Sequence, residues 1–138
     1  MQQLKIGVLI SGLGTNLQSL IENVEKGMIN GQISVVISNR ENAYGLKRAR
    51  QHGIDAVFID KERYENFEQF NDAITDCLKA HGVDLVVLAG YMKILPPKFI
   101  NTYRNRIINI HPSLIPSFCG NGYYGLKVHE AAVSYGVK

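Results

Sequence analysis

Asn109 and His111 are the residues whose types and spacing say most about chemistry. They lie in the run Ile107-Ile108-Asn109-Ile110-His111-Pro112-Ser113-Leu114-Ile115-Pro116. On a strand, side chains two positions apart share a face, so 107, 109 and 111 project the same way. Pro112 has no N–H to give a ladder and ends the strand, leaving His111 at its carboxyl end. A carboxamide beside an imidazole can hold a carbonyl oxygen while a proton is moved. The competing reading of His111 is a histidine satisfied inside the core. Its place outside a strand end, two residues after an Asn, favours the chemical one. His52, His81 and His129 fall on helical stretches among charged neighbours and read as solvated.

The second constellation is Ser11-Gly12-Leu13-Gly14-Thr15-Asn16, between an apolar strand-like run and a helical one. A glycine-rich turn at a helix N-terminus exposes backbone N–H groups in a partly positive field, which favours a phosphate. Ser11, Thr15 and Asn16 add hydroxyl and amide donors. The alternative is a tight turn with no ligand. The dinucleotide fingerprint needs a third Gly where Leu17 stands, and Ser38-Asn39-Arg40 replaces the acidic residue at the end of the second strand. NAD is therefore disfavoured, although Arg40 could face the 2′-phosphate of NADP. No Gly-Lys-Ser/Thr is present, which excludes an ATP-binding P-loop.

Such turns need elements to position them. Five β-branched runs recur, at Lys5 to Ile10, Ile33 to Ile37, Ala56 to Ile59, Asp84 to Ala89 and Arg106 to Ile110. The first, second and fourth are apolar nearly throughout, the pattern of strands covered on both faces. Between them Leu17, Leu20, Ile21 and Val24 make one apolar helical stripe, with Thr15 or Asn16 as cap and Gly27 as stop. Phe67, Phe70, Ile74 and Cys77 make another, and Leu46 and Ala49 mark a weaker helix over Ala43 to His52. The alternation predicts an α/β fold: a doubly wound, mostly parallel open sheet of the Rossmann-like class. Val128 to Val137 reads as a helix that leads nowhere, so residues 1–138 are expected to be one domain, incomplete at the C-terminus.

Composition fits a single packed unit. The chain has 138 residues, 46% hydrophobic and 20% charged, with a net charge of +3. That leaves room for an anionic small molecule but supplies no basic nucleic-acid surface, and no apolar run is long enough for a membrane span. Cys77 and Cys119 form no CxxC pair and no secretory leader precedes the first strand, so a reduced, cytoplasmic setting is expected, with no metal.

Three spaced motifs, Val8 to Leu17, Val86 to Leu95 and Asn109 to Pro116, resemble the phosphoribosylglycinamide formyltransferase family. The resemblance covers the chain in order, as the N-terminal two-thirds of such a protein. It implies transfer of a formyl group from 10-formyltetrahydrofolate, as co-substrate, to the amine of glycinamide ribonucleotide in purine biosynthesis. It implies that Gly14, Thr15 and Asn16 bind the ribonucleotide phosphate. Met92, Lys93, Ile94 and Leu95 match the family segment that lines the folate pterin pocket, largely through backbone groups; read without the resemblance, they are a helix-entry segment packed on the sheet. Asn109 would hold the formyl oxygen, and His111 would be the general acid/base. Tyr123 and Tyr124, in a Gly-rich loop, either cover the site or merely pack.

One part of the family pattern is missing. A later Asp orients the imidazole in that family, and no Asp follows Asp84 here. Losing such a partner costs roughly 10²–10⁴-fold in comparable histidine sites, so residues 1–138 alone are expected to be weakly active or inactive. An incomplete sheet is also expected to leave an unpaired edge. Within the fold, formyltetrahydrofolate hydrolase is a rival, with Pro112 where that family tends to carry a second His. Methionyl-tRNA formyltransferase is a weaker one, lacking its basic stripe. A nucleotide-phosphate or NADP binder is the rival from another class.

Overall fold

The first strand, β1 (Leu4–Ile10), is LKIGVLI and is buried at every position from Ile6 onward. A strand with no polar face belongs in the middle of a covered parallel sheet. In the computed structural model, which describes residues 3–110, that is where it lies. β1 pairs in parallel with β2 (Gly31–Ser38) on one side and with β4 (Leu85–Ala89) on the other. β3 (Asp55–Phe58) adds to β2, and β5 (Ile107–Ile110) to β4, both parallel. The spatial order is β3-β2-β1-β4-β5. All five expected strands are present within one or two residues of their predicted ends.

Helices cross over between the strands and cover both faces. On one face, α1 (Thr15–Glu25) and α2 (Tyr44–Gln51) bring Leu17, Leu20, Ile21, Leu46 and Ala49 onto Ile6, Val8 and Ile10. On the other, α3 (Phe67–Ala80) and α4 (Pro97–Thr102) bring Phe70, Ile74, Leu78, Phe99 and Ile100 onto Leu9, Val35, Ile37 and Val86. The fold is thus doubly wound, as the alternation of runs implied. Asn66 caps α3 by accepting from the Gln69 N–H at 2.8 Å, and Pro97 opens α4, where its missing N–H costs no helical bond.

The start of α1 departs from expectation. Its cap residue is Gly14, one position before Thr15, with φ 76° and no side-chain capping bond. The turn needs a left-handed backbone there, and that conformation selects glycine over a hydroxyl or amide cap. His111, Cys119, Tyr123, Tyr124, His129 and the stretch 128–137 lie outside the described residues.

Candidate functional site

The turn after β1 is where sequence and backbone agree best. Gly14 is buried, Thr15 exposed, and Asn16 only 8% exposed, so the three expected phosphate contacts share the amino end of α1. The first turn of α1 carries no acidic residue, and its cap residue contributes no side-chain acceptor. N–H groups presented in this way, at the positive end of the helix, are the complement of an anion. The turn is braced from beneath by α2. The Gly45 N–H donates to the Gly12 carbonyl at 3.1 Å, and Arg48 Nε donates to the Leu13 carbonyl at 2.8 Å. The Arg48 guanidinium lies 4.8 Å from the centre of the Tyr44 ring, within cation–π range. These braces are not legible from spacing; the small residues Ala43 and Gly45 at the start of α2 are their one signal in the sequence.

The order of strands places a crevice beside this turn. From β1 the chain winds outward through β2 to β3, then returns to β4 and winds the opposite way to β5. The carboxyl ends of β1 and β4 are neighbours whose connections diverge, the topological switch point at which open α/β sheets bind ligands. Ser11 bridges that point. Its Oγ accepts from the Met92 N–H at 2.8 Å and donates to Asn39 Oδ1 at 2.5 Å. The hydroxyl proton is therefore committed to Asn39, and Ser11 does not add the phosphate donor expected of it.

Across the crevice runs the segment from Tyr91 to Leu95. Met92 is 74% and Ile94 72% exposed, whereas Leu95 packs against the α3/α4 side of the core. Packing on the sheet thus accounts for Leu95 alone. Lys93 is partly buried between them. The Tyr91 hydroxyl is buried without a hydrogen-bond partner among the described residues, and burial pushes its phenol well above the ordinary range.

Asn109 lies opposite Leu88 in the β4–β5 register and is partly buried. By strand parity it shares a sheet face with Ile107, which packs into the α3/α4 core. His111 would follow on that parity but falls outside the described residues. His52 and His81 are not solvated as expected. Each ends a helix, partly buried, with His52 Nδ1 2.7 Å from Glu25 Oε2 and His81 Nε2 3.2 Å from Asp55 Oδ2. Neither lies on the crevice segments. A groove of about 270 Å³ between α3 and α4, lined by Phe67, Asn71, Pro97 and Phe99 among others, contains none of the site residues named above.

Known proteins are similar to this chain in sequence and fold. A sequence model described as formyl transferase matches residues 4–138. A phosphoribosylglycinamide formyltransferase from Haemophilus influenzae is 50% identical over 133 residues, covering 96% of this chain and 60% of that protein. Among solved structures, glycinamide ribonucleotide transformylase 1 from Symbiobacterium toebii aligns with a TM-score of 0.78 at 49% identity, over 84% of this chain and 55% of its own. Phosphoribosylglycinamide formyltransferase from Brucella melitensis gives 0.78 at 34% identity, over 98% of this chain and 68% of that one. The chain spans about three-fifths of the length of the Haemophilus influenzae relative, at 60%.

Proposed function

The chain belongs to the formyl transferase family, and on that premise we propose that the protein transfers a formyl group from 10-formyltetrahydrofolate to the amine of glycinamide ribonucleotide, a step of purine biosynthesis. The observation that carries this reading is the meeting, at the β1/β4 switch point, of a glycine turn suited to a phosphate and an apolar segment exposed at Met92 and Ile94. Relatives and solved neighbours named for this activity support it.

In this reading Gly14, Thr15 and Asn16 hold the ribonucleotide phosphate through the amino end of α1. Met92, Lys93, Ile94 and Leu95 receive the folate pterin, with backbone groups and the exposed apolar side chains at its edge. The substrate amine attacks the formyl carbon, and the carbonyl oxygen takes up negative charge, stabilised by the Asn109 carboxamide. The new C–N bond then stays while the bond to the folate nitrogen breaks. His111 passes the proton shed by the amine to that leaving nitrogen, as general acid/base. Water is excluded from the exchange to the extent that both substrates fill the crevice.

The test is initial-rate formyl transfer by the full-length protein, followed as tetrahydrofolate release. Asn109→Ala and His111→Ala are each expected to lower kcat by about 10²-fold or more. Wild-type activity retained in either variant would remove that residue from the chemistry. Formate release without ribonucleotide would favour the hydrolase, and tight NADPH binding with no response to folate would favour the nucleotide binder.

A further inference from the structure

Ser11 does no chemistry in the scheme above, yet it stands at the carboxyl end of the central strand and is only 2% exposed. A hydroxyl has one proton to give and lone pairs with which to accept. The Met92 amide can only donate, so the 2.8 Å contact uses a lone pair of Ser11. The proton goes to Asn39, whose Oδ1 receives it. Asn39 is itself set by a local turn: Ser38 Oγ accepts from the Arg40 N–H at 2.9 Å and donates to the Arg40 carbonyl at 2.8 Å. The result is one directed chain, from Met92 N–H through Ser11 O–H to the Asn39 carbonyl oxygen, joining the ends of β4, β1 and β2.

Two further facts give that chain a purpose. Among the described residues, the bond to Ser11 is the one hydrogen bond made by the backbone of residues 91–95, and it fixes the Met92 end of a segment whose Tyr91 and Leu95 side chains pack on the α3/α4 core. The glycine turn, by contrast, is anchored independently of Ser11, by Gly45 and Arg48 from α2. We infer that Ser11 is a positioning residue for the formyl donor: its hydroxyl sets the height of the Met92–Leu95 segment over the crevice, and so the separation between the two halves of the site. This rests on the formyl-transfer reading for the identity of the donor, but not for the tether itself.

Two measurements separate these parts. The first is amide hydrogen exchange of Met92 in the full-length protein, which reads the tether whether or not there is turnover. Ser11→Ala is expected to speed exchange there by about tenfold, the scale of one lost hydrogen bond, and Ser11→Thr, which keeps the hydroxyl, to restore protection. Unchanged exchange in Ser11→Ala overturns the inference. The second is a pair of KM measurements. Ser11→Ala is expected to raise KM for 10-formyltetrahydrofolate by about tenfold while KM for glycinamide ribonucleotide moves less than about twofold, because the turn keeps its own braces. Equal effects on both substrates, or none, overturn it. Asn39→Ala leaves the Met92 bond in place and guards against a Ser11 variant that does not fold. It is expected to give a smaller shift in the same direction, and in the Ser11→Ala background no further shift, since both act through one chain. A wild-type protein that exchanges as expected but transfers no formyl group would sink the functional reading and leave the tether standing.

Discussion

Gly14 and Gly45 meet backbone to backbone: a Cβ placed on Gly14 would lie 2.7 Å from the Gly45 Cα. No real side chain tolerates that distance, and the obstacle is main chain that cannot rotate away. Gly14 also sits at φ 76°, which by itself disfavours any L side chain. Gly53 has nearly the same φ, 71°, with nothing within 4 Å of its would-be Cβ. The pair separates conformational cost from collision. Gly53→Ala is expected to lose about 1 kcal/mol in urea unfolding, and Gly14→Ala at least about 1 kcal/mol more. Only Gly14→Ala should also raise KM for the ribonucleotide. Equal losses would mean that the turn moves freely away from α2.

Arg48 should act on the same turn without touching substrate. Its Nε donates to the Leu13 carbonyl and its Nη1 lies 3.4 Å from Gln18 Oε1, so it ties the turn and α1 to α2. Arg48→Ala frees the turn but leaves the Gly45 bond in place. The expected result is a ribonucleotide KM about three- to tenfold higher, with KM for the formyl donor unchanged. A change confined to kcat would show that Arg48 has another task.

What could be read from residues alone follows from what kind of force fixes each feature. Strands β1, β2 and β4 were legible because burial on both faces demands unbroken apolar runs, and α1 and α3 because burial on one face demands a stripe. The cap of α1 was not, because Thr15 and Asn16 are good caps in general and only the left-handed backbone at Gly14 displaces them. Ser11 reads as a ligand donor from sequence because its neighbours there are glycines. Its actual partners, Asn39 and Met92, are 28 and 81 residues away and meet it only once the strand order is known. His52 and His81 read as solvated from sequence for the same reason: Glu25 and Asp55 reach them from other elements.

Tyr91 offers a stability test at the edge of the site. Its buried hydroxyl has no partner among the described residues, so Tyr91→Phe removes an uncompensated polar group and is expected to stabilise the protein by up to about 1 kcal/mol at pH 7. Burial raises the Tyr91 and Tyr103 phenols above 10.0, and burial followed by the nearby Asp55 charge raises the Cys77 thiol above 9.0. The folded state therefore keeps protons that the unfolded chain has already released. Stability must fall as pH rises, beginning near the ordinary thiol value and continuing through the phenol range. Urea unfolding between pH 8 and pH 11 should show that decline, shallower in Tyr91→Phe. A parallel decline in the variant would place the Tyr91 phenol in contact with water.

Ile94 and Leu95 are adjacent, similar in size and opposite in environment. Leu95 packs on the α3/α4 core, whereas Ile94 is 72% exposed and contributes little to folding. Leu95→Ala is thus expected to destabilise the protein by about 1–2 kcal/mol, less than a fully buried leucine would, with any loss of activity following from that. Ile94→Ala is expected to leave unfolding within about 0.5 kcal/mol of wild type. If the exposed side chain is there to cover the pterin, the same substitution raises KM for the formyl donor by about tenfold, the scale of burying two to three carbons against a ligand. A large effect on stability with none on the donor would assign Ile94 to a surface that the protein itself covers, and would move the folate away from this segment.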